Sequence, residues 1–103
     1  MDFSHKIHPA ADSEFTDAYI WYENQKKGLG DQFADAVLAK VTEICQNPFL
    51  YGSKSKGFRE TVVSSVFPYV IVYLVDMSAK VVFIAAIFHE RRNPRKKYRR
   101  RPD

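Results

Sequence analysis

The 103-residue sequence predicts an α+β sandwich in the order βααβββ, a helical hairpin packed on a twisted, mainly antiparallel four-stranded sheet. Three observations lead there. Apolar residues at helical spacing are confined to the first half of the chain. Runs dense in Val, Ile, Tyr and Phe, with short breaks, fill the second half. The length provides for one core, which excludes a two-domain enzyme with its own cofactor module.

The elements follow in order. Phe3, His5 and Ile7 alternate with Ser4, Lys6 and His8, the period of a short strand with one face toward a core, and Pro9 ends it. From Ala10 to about Lys26, Ala11, Phe15, Ala18, Tyr19 and Tyr22 fall at helical spacing, with Asp12 and Glu14 at the positive end of the helix dipole. Gly28 and Gly30 mark a tight connection that starts a helical hairpin. The second helix is expected from Asp31 to Gln46 on the stripe Phe33, Val37, Val41 and Ile44, and Asn47-Pro48 stops it. A polar loop leads to three strands, Phe58–Ser64, Phe67–Val75 and Val81–Phe88. The last is apolar on both faces and belongs in the centre of the sheet, and Phe58–Ser64 belongs at an edge.

Charge is unevenly placed. Residues 89–103 hold eight of the sixteen Lys and Arg with Glu90 and Asp103, a net +6, whereas the 88 residues before them carry eight basic and ten acidic side chains, a net −2. A weakly acidic body with a basic end points to nucleic acid or an acidic partner, or else to a solvated extension. A single domain over 1–98 with a flexible basic tail at 99–103 is expected. The longest apolar run has eight residues, against the roughly 20 of a spanning helix, so no membrane segment is expected. Residues 1–20 lack the layout of a secretory signal, which points to the cytoplasm. Cys45 stands alone, and no Cys/His spacing suits zinc, so neither metal nor cofactor is expected.

Five stretches then occur in sequence: Trp21-Tyr22-Glu23, Gly28-Leu29-Gly30-Asp31-Gln32-Phe33, Asn47-Pro48, Phe67-Pro68-Tyr69, and His89-Glu90-Arg91-Arg92-Asn93-Pro94. Together with the element order they resemble the RelE/ParE toxin superfamily over nearly the whole chain. The resemblance implies the toxin of a type II toxin-antitoxin, or plasmid stabilisation, pair. RelE-like members cut messenger RNA on the ribosome, and ParE-like members inhibit DNA gyrase by binding. The GLG turn and the H-x-R-R-x-P ending are more similar to the ParE branch. A relative that only binds antitoxin is the third reading.

As a nuclease, the chain would need a proton acceptor, cations for the phosphorane-like transition state and an acid, without metal. His89, Arg91, Arg92 and Tyr98, with Lys54, Lys56 and Arg59, supply that inventory, although the tail spacing departs from RelE-like enzymes and Pro94 precedes Tyr98. His89 is equally a hydrogen-bonded strand cap, and the three loop cations are equally a solvated face. As an inhibitor, the chain needs only a complementary surface, for which Arg91, Arg92, Arg95, Lys96, Lys97, Arg99, Arg100 and Arg101 are the group. Trp21 faces away from the core stripe, where it either anchors a partner or packs on the second helix. The resemblance implies a cognate antitoxin whose acidic, disordered C-terminal segment folds on binding, and DNA gyrase, or the ribosome with its message, as target.

Overall fold

The computed structural model describes residues 2–92, 94–95 and 97–102. Strand β1 (Ser4–Ile7) leads into helices α1 (Pro9–Gln25) and α2 (Leu29–Gln46), a 3-10 turn at Ser55–Gly57, and strands β2 (Arg59–Val62), β3 (Tyr69–Asp76) and β4 (Val81–His89). The sheet order is β1-β4-β3-β2, with β1 parallel to β4 and the other neighbours antiparallel. Strand β4 is central and β2 lies at an edge, as their patterns predict.

Helix α1 begins where Pro9 needs no hydrogen-bonded N–H, and the His8 Nδ1 accepts from the Ala10 N–H at 3.0 Å. Its end and the start of α2 are joined by Glu23. One carboxylate oxygen accepts from the Gly28 N–H and the other from the Gly30 N–H, each at 3.0 Å, which places a negative charge on the α2 N-terminus. Gly28 sits at φ 89, the left-handed region that glycine enters without strain. A Cβ on Gly30 would come within 2.9 Å of the Tyr19 carbonyl oxygen, so a side chain there would push the hairpin apart. Helix α2 therefore starts at Leu29, two residues before the expected Asp31, because Glu23 caps it from the neighbouring helix.

One face of the sheet packs on the helices. Phe33 and Ile44 of α2 and Ile71, Tyr73, Val82 and Ile84 of the strands are fully or almost fully buried there. Tyr22, Phe33, Phe67 and Tyr69 form a contiguous set of ring contacts at 5.0–6.0 Å. Strand β3 begins at Tyr69 and not at Phe67, since Pro68 has no N–H for the ladder and the Phe67 ring joins this set. Strand β1 departs from its expectation in exposure alone. Ser4–Ile7 are all exposed, as befits an edge strand, but the alternation gives the facing correctly: Phe3 packs against the helix-side core, and His5 and Ile7 line a concavity with Val37, Val41 and Ile84.

Within β4 the pairing with β3 runs Ala86 to Val72 and then Ile84 to Tyr73, so Ala85 is an extra residue in a bulge. The bulge inverts the facing of the strand. Ile84 and Ile87 both lie on the helix side, and Ala85, Ala86 and Phe88 on the other.

The face without helices buries Phe58, Val70, Val72, Phe83 and Phe88, and Tyr98 from the C-terminal segment packs against it. Within the C-terminal segment, Arg100 and Arg101 make contacts with the body of the fold. The Arg100 guanidinium makes a two-pronged pair with Glu14 of α1, at 2.9 and 3.0 Å, and donates to the Ala85 carbonyl at 3.0 Å. Glu14 in turn accepts from the Ile87 N–H at 3.0 Å. Strand β1 stops opposite Ile84, and this ion pair closes the β4 edge beyond it.

Candidate functional site

Two concavities gather most of the chemistry-bearing side chains. The first is a cleft of about 220 Å³ between α1, the start of β3 and the end of β4, lined by residues that include Glu14, Asp17, Trp21, Tyr69, His89 and Arg92. Trp21 is 56% exposed and meets the Tyr22 ring edge-on at 5.1 Å. It lines the cleft beside Tyr69 and His89 and is largely open to solvent. His89 pairs with Tyr69 in the ladder, their rings edge-on at 5.3 Å. Burial pushes the Tyr69 phenol up, and the Arg92 charge partly offsets this. The His89 Nδ1 accepts from the Arg91 N–H at 3.1 Å. In the neutral ring the proton then resides on Nε2, so the one nitrogen able to take a proton is already engaged.

The second concavity, of about 210 Å³, is lined by Ser55, Lys56, Arg95, Tyr98 and Arg99. Lys56 adopts φ 59, a left-handed conformation costing about 1 kcal/mol for a residue with a side chain, and its carbonyl accepts from Arg101 at 2.6 Å. The Arg101 guanidinium lies 4.9 Å over the Phe58 ring, and Tyr98 stacks on Phe58 at 5.6 Å. The Tyr98 hydroxyl donates to Glu60, whose carboxylate also pairs with Lys97 at 3.4 Å. Burial and then Glu60 push the Tyr98 phenol up to about 12, which makes it a poor proton donor at neutral pH.

The candidate nuclease set is thus divided. His89 and Arg92 share the helix-side cleft, whereas Lys56 and Tyr98 share the concavity at the helix-free face. Arg59 belongs to neither: it donates to the Tyr51 carbonyl at 2.6 Å and lies 4.9 Å over the Phe49 ring, bracing the loop after α2. Lys54 is exposed, and its backbone N–H pairs with the Phe58 carbonyl. Of the tail cations, Arg91, Arg92, Arg95 and Arg99 are exposed, Lys97, Arg100 and Arg101 are engaged as above, and Lys96 lies outside the described residues. No group of three or more His, Cys, Asp or Glu side chains able to hold a metal converges among the described residues. Their helices include none long and apolar enough to cross a membrane. Cys45 is buried, and burial pushes its thiol up.

Sequence reasoning missed Glu14, Glu60 and Tyr69. Glu14 reads locally as a helix-dipole acid, and nothing nearby announces a partner 86 positions away.

No curated protein matches the chain. The fold is similar to a chain from the RelBE2 toxin-antitoxin complex of Mycobacterium tuberculosis, with a TM-score of 0.63 and 13% identity over 87% of this chain and 100% of that one. It is also similar to an arginine-substituted E. coli RelE toxin in its free state, with a TM-score of 0.66 and 18% identity over 95% and 92%. Residues 6–94 match the family described as ParE toxin of the type II toxin-antitoxin system, parDE, and the chain belongs to that family of RelE/ParE-type toxins.

Proposed function

We propose that the chain acts by binding, as a ParE-like inhibitor of DNA gyrase, and that an antitoxin with an acidic, initially disordered C-terminal segment neutralises it. The observation that carries the reading is the division of the proton-transfer candidates. His89 and Tyr98 lie in different concavities, the acceptor nitrogen of one is engaged, and the hydroxyl of the other is committed to Glu60. A metal-free ribonuclease needs such groups within hydrogen-bond reach of one reacting phosphate. An inhibitor needs a rigid surface with the right charge, which this fold offers. The cleft around Trp21 is the antitoxin's anchor point in this reading, since an exposed tryptophan beside a concavity is the residue type that dominates interfaces. The M. tuberculosis relative of the same fold was solved with its antitoxin, which favours a cognate partner here.

Two assays on the purified chain test the proposal: supercoiling of relaxed plasmid by gyrase, and cleavage of messenger RNA on programmed ribosomes. Inhibition of supercoiling without cleavage is expected. Cleavage without inhibition establishes the RelE-like activity instead, and silence in both leaves an antitoxin-binding module without toxicity.

A further inference from the structure

We infer that Lys56, Arg95 and Arg99 form a cradle for backbone phosphates of double-stranded DNA. The tail's positive charge is not one uniform brush. Lys97 and Arg100 are paired with Glu60 and Glu14, and Arg101 is held by the Lys56 carbonyl and the Phe58 ring. These tethers draw Arg95 and Arg99 over the turn that carries Lys56, 39 and 43 residues earlier in the chain, and leave the three in one shallow, polar concavity. Neither Arg95 nor Arg99 has an ion pair among the described residues, and the nearby Glu60 is occupied by Tyr98 and Lys97. Like charges held together repel unless an anion sits among them, and guanidinium groups match a phosphate through paired N–H donors.

The rings at this face decide between duplex and single strand. Binders of unpaired strands offer aromatic faces on which bases stack. Here Phe58 and Tyr98 stack on each other, and Arg101 and Lys97 lie over the rings. A sequence-independent phosphate contact is what remains, and that suits a duplex backbone. The choice of DNA over an acidic peptide rests on the gyrase reading, because gyrase works on duplex DNA.

The test is fluorescence anisotropy of the full chain with a short labelled DNA duplex across about 50–200 mM salt. Three phosphate contacts predict a slope of log K against log salt of about −2.7, at about −0.9 each. The double variant R95Q/R99Q, with an unchanged circular dichroism spectrum, is expected to lose about 1.8 of that slope, and the charge-matched control K26Q/K27Q at the end of α1 to keep it. An absence of duplex binding at the lowest salt overturns the inference. So does an unchanged slope in R95Q/R99Q, or a preference for single-stranded RNA or a poly-glutamate peptide over the duplex. Supercoiling inhibition without duplex binding removes the cradle and leaves the toxin reading standing; duplex binding without supercoiling inhibition does the reverse.

Discussion

The two faces of the sheet are closed by different means. On the helix side, Ala18 and Tyr22 of α1 and Phe33, Val37, Val41 and Ile44 of α2 share one cluster with Ile71, Tyr73 and Ile84, and apolar surface removed from water holds the layers together. On the other side a comparable row, Phe58, Val72, Phe83 and Phe88, is covered by a C-terminal segment held through ions and hydrogen bonds: Arg100 to Glu14, Arg101 to Lys56, Lys97 and Tyr98 to Glu60. Basic composition is therefore not a binding surface in itself. Part of a cationic tail can be structural while its neighbours in sequence remain free for a target. Deleting residues 89–103 would remove part of β4 and uncover the second row, so it reads stability and not target contact; point substitutions at Arg95 and Arg99 separate the two.

Phe33→Ala is expected to disturb the helix-side layer most. Phe33 is fully buried and contacts Phe15, Tyr22, Phe67 and Tyr69, so truncation is expected to cost about 3–5 kcal/mol in urea unfolding, a large share of the roughly 5–15 kcal/mol of a typical domain. A loss below about 1 kcal/mol would show that the helix-side layer is not the main source of stability. Arg100→Ala comes next. It strands the Glu14 carboxylate and the Ala85 carbonyl, and charge-assisted bonds that are partly exposed are expected to cost about 1.5 kcal/mol. Hydrogen exchange at Ala85–Phe88 should quicken more than at Phe33–Ile44; equal change on both sides would mean that the tail does not close the outer face.

Tyr98→Phe at neutral pH gives the smallest effect, and alkaline pH reads the same phenol. The folded state holds the Tyr98 proton up to about 12, whereas an unfolded tyrosine releases it near about 10. The folded chain therefore binds more protons in that interval, so stability is fully present below about pH 10 and falls as pH rises toward about 12. Tyr73, pushed up to about 12 by burial, contributes in the same sense. Tyr98→Phe is expected to cost about 1 kcal/mol at neutral pH and to flatten part of the alkaline loss. An unaltered pH profile in that variant would place the phenol outside the buried network.

Much of the fold was legible because its signals are local. The α2 stripe, the central position of β4 and the edge position of β2 follow from spacing alone. The bulge at Ala85 was not legible, because Val81–Phe88 is apolar at every position and any facing satisfies the pattern. Strand β1 shows its facing in the alternation but not its exposure, because a four-residue edge strand with one parallel neighbour leaves even its core-side residues open to solvent. The site was half legible. His89, Arg92, Lys56 and Tyr98 are the right residue types, but their division between two concavities depends on strand facing after the bulge and on the Glu14–Arg100 pair, neither of which leaves a mark in neighbouring sequence.

Gyrase inhibition shows most directly in the DNA topology of a cell that makes this chain without an antitoxin. Plasmid linking number measured minutes after induction should shift toward relaxed topoisomers before translation declines. Growth arrest with an unchanged linking number, together with new messenger RNA ends at ribosome-bound codons, would contradict it.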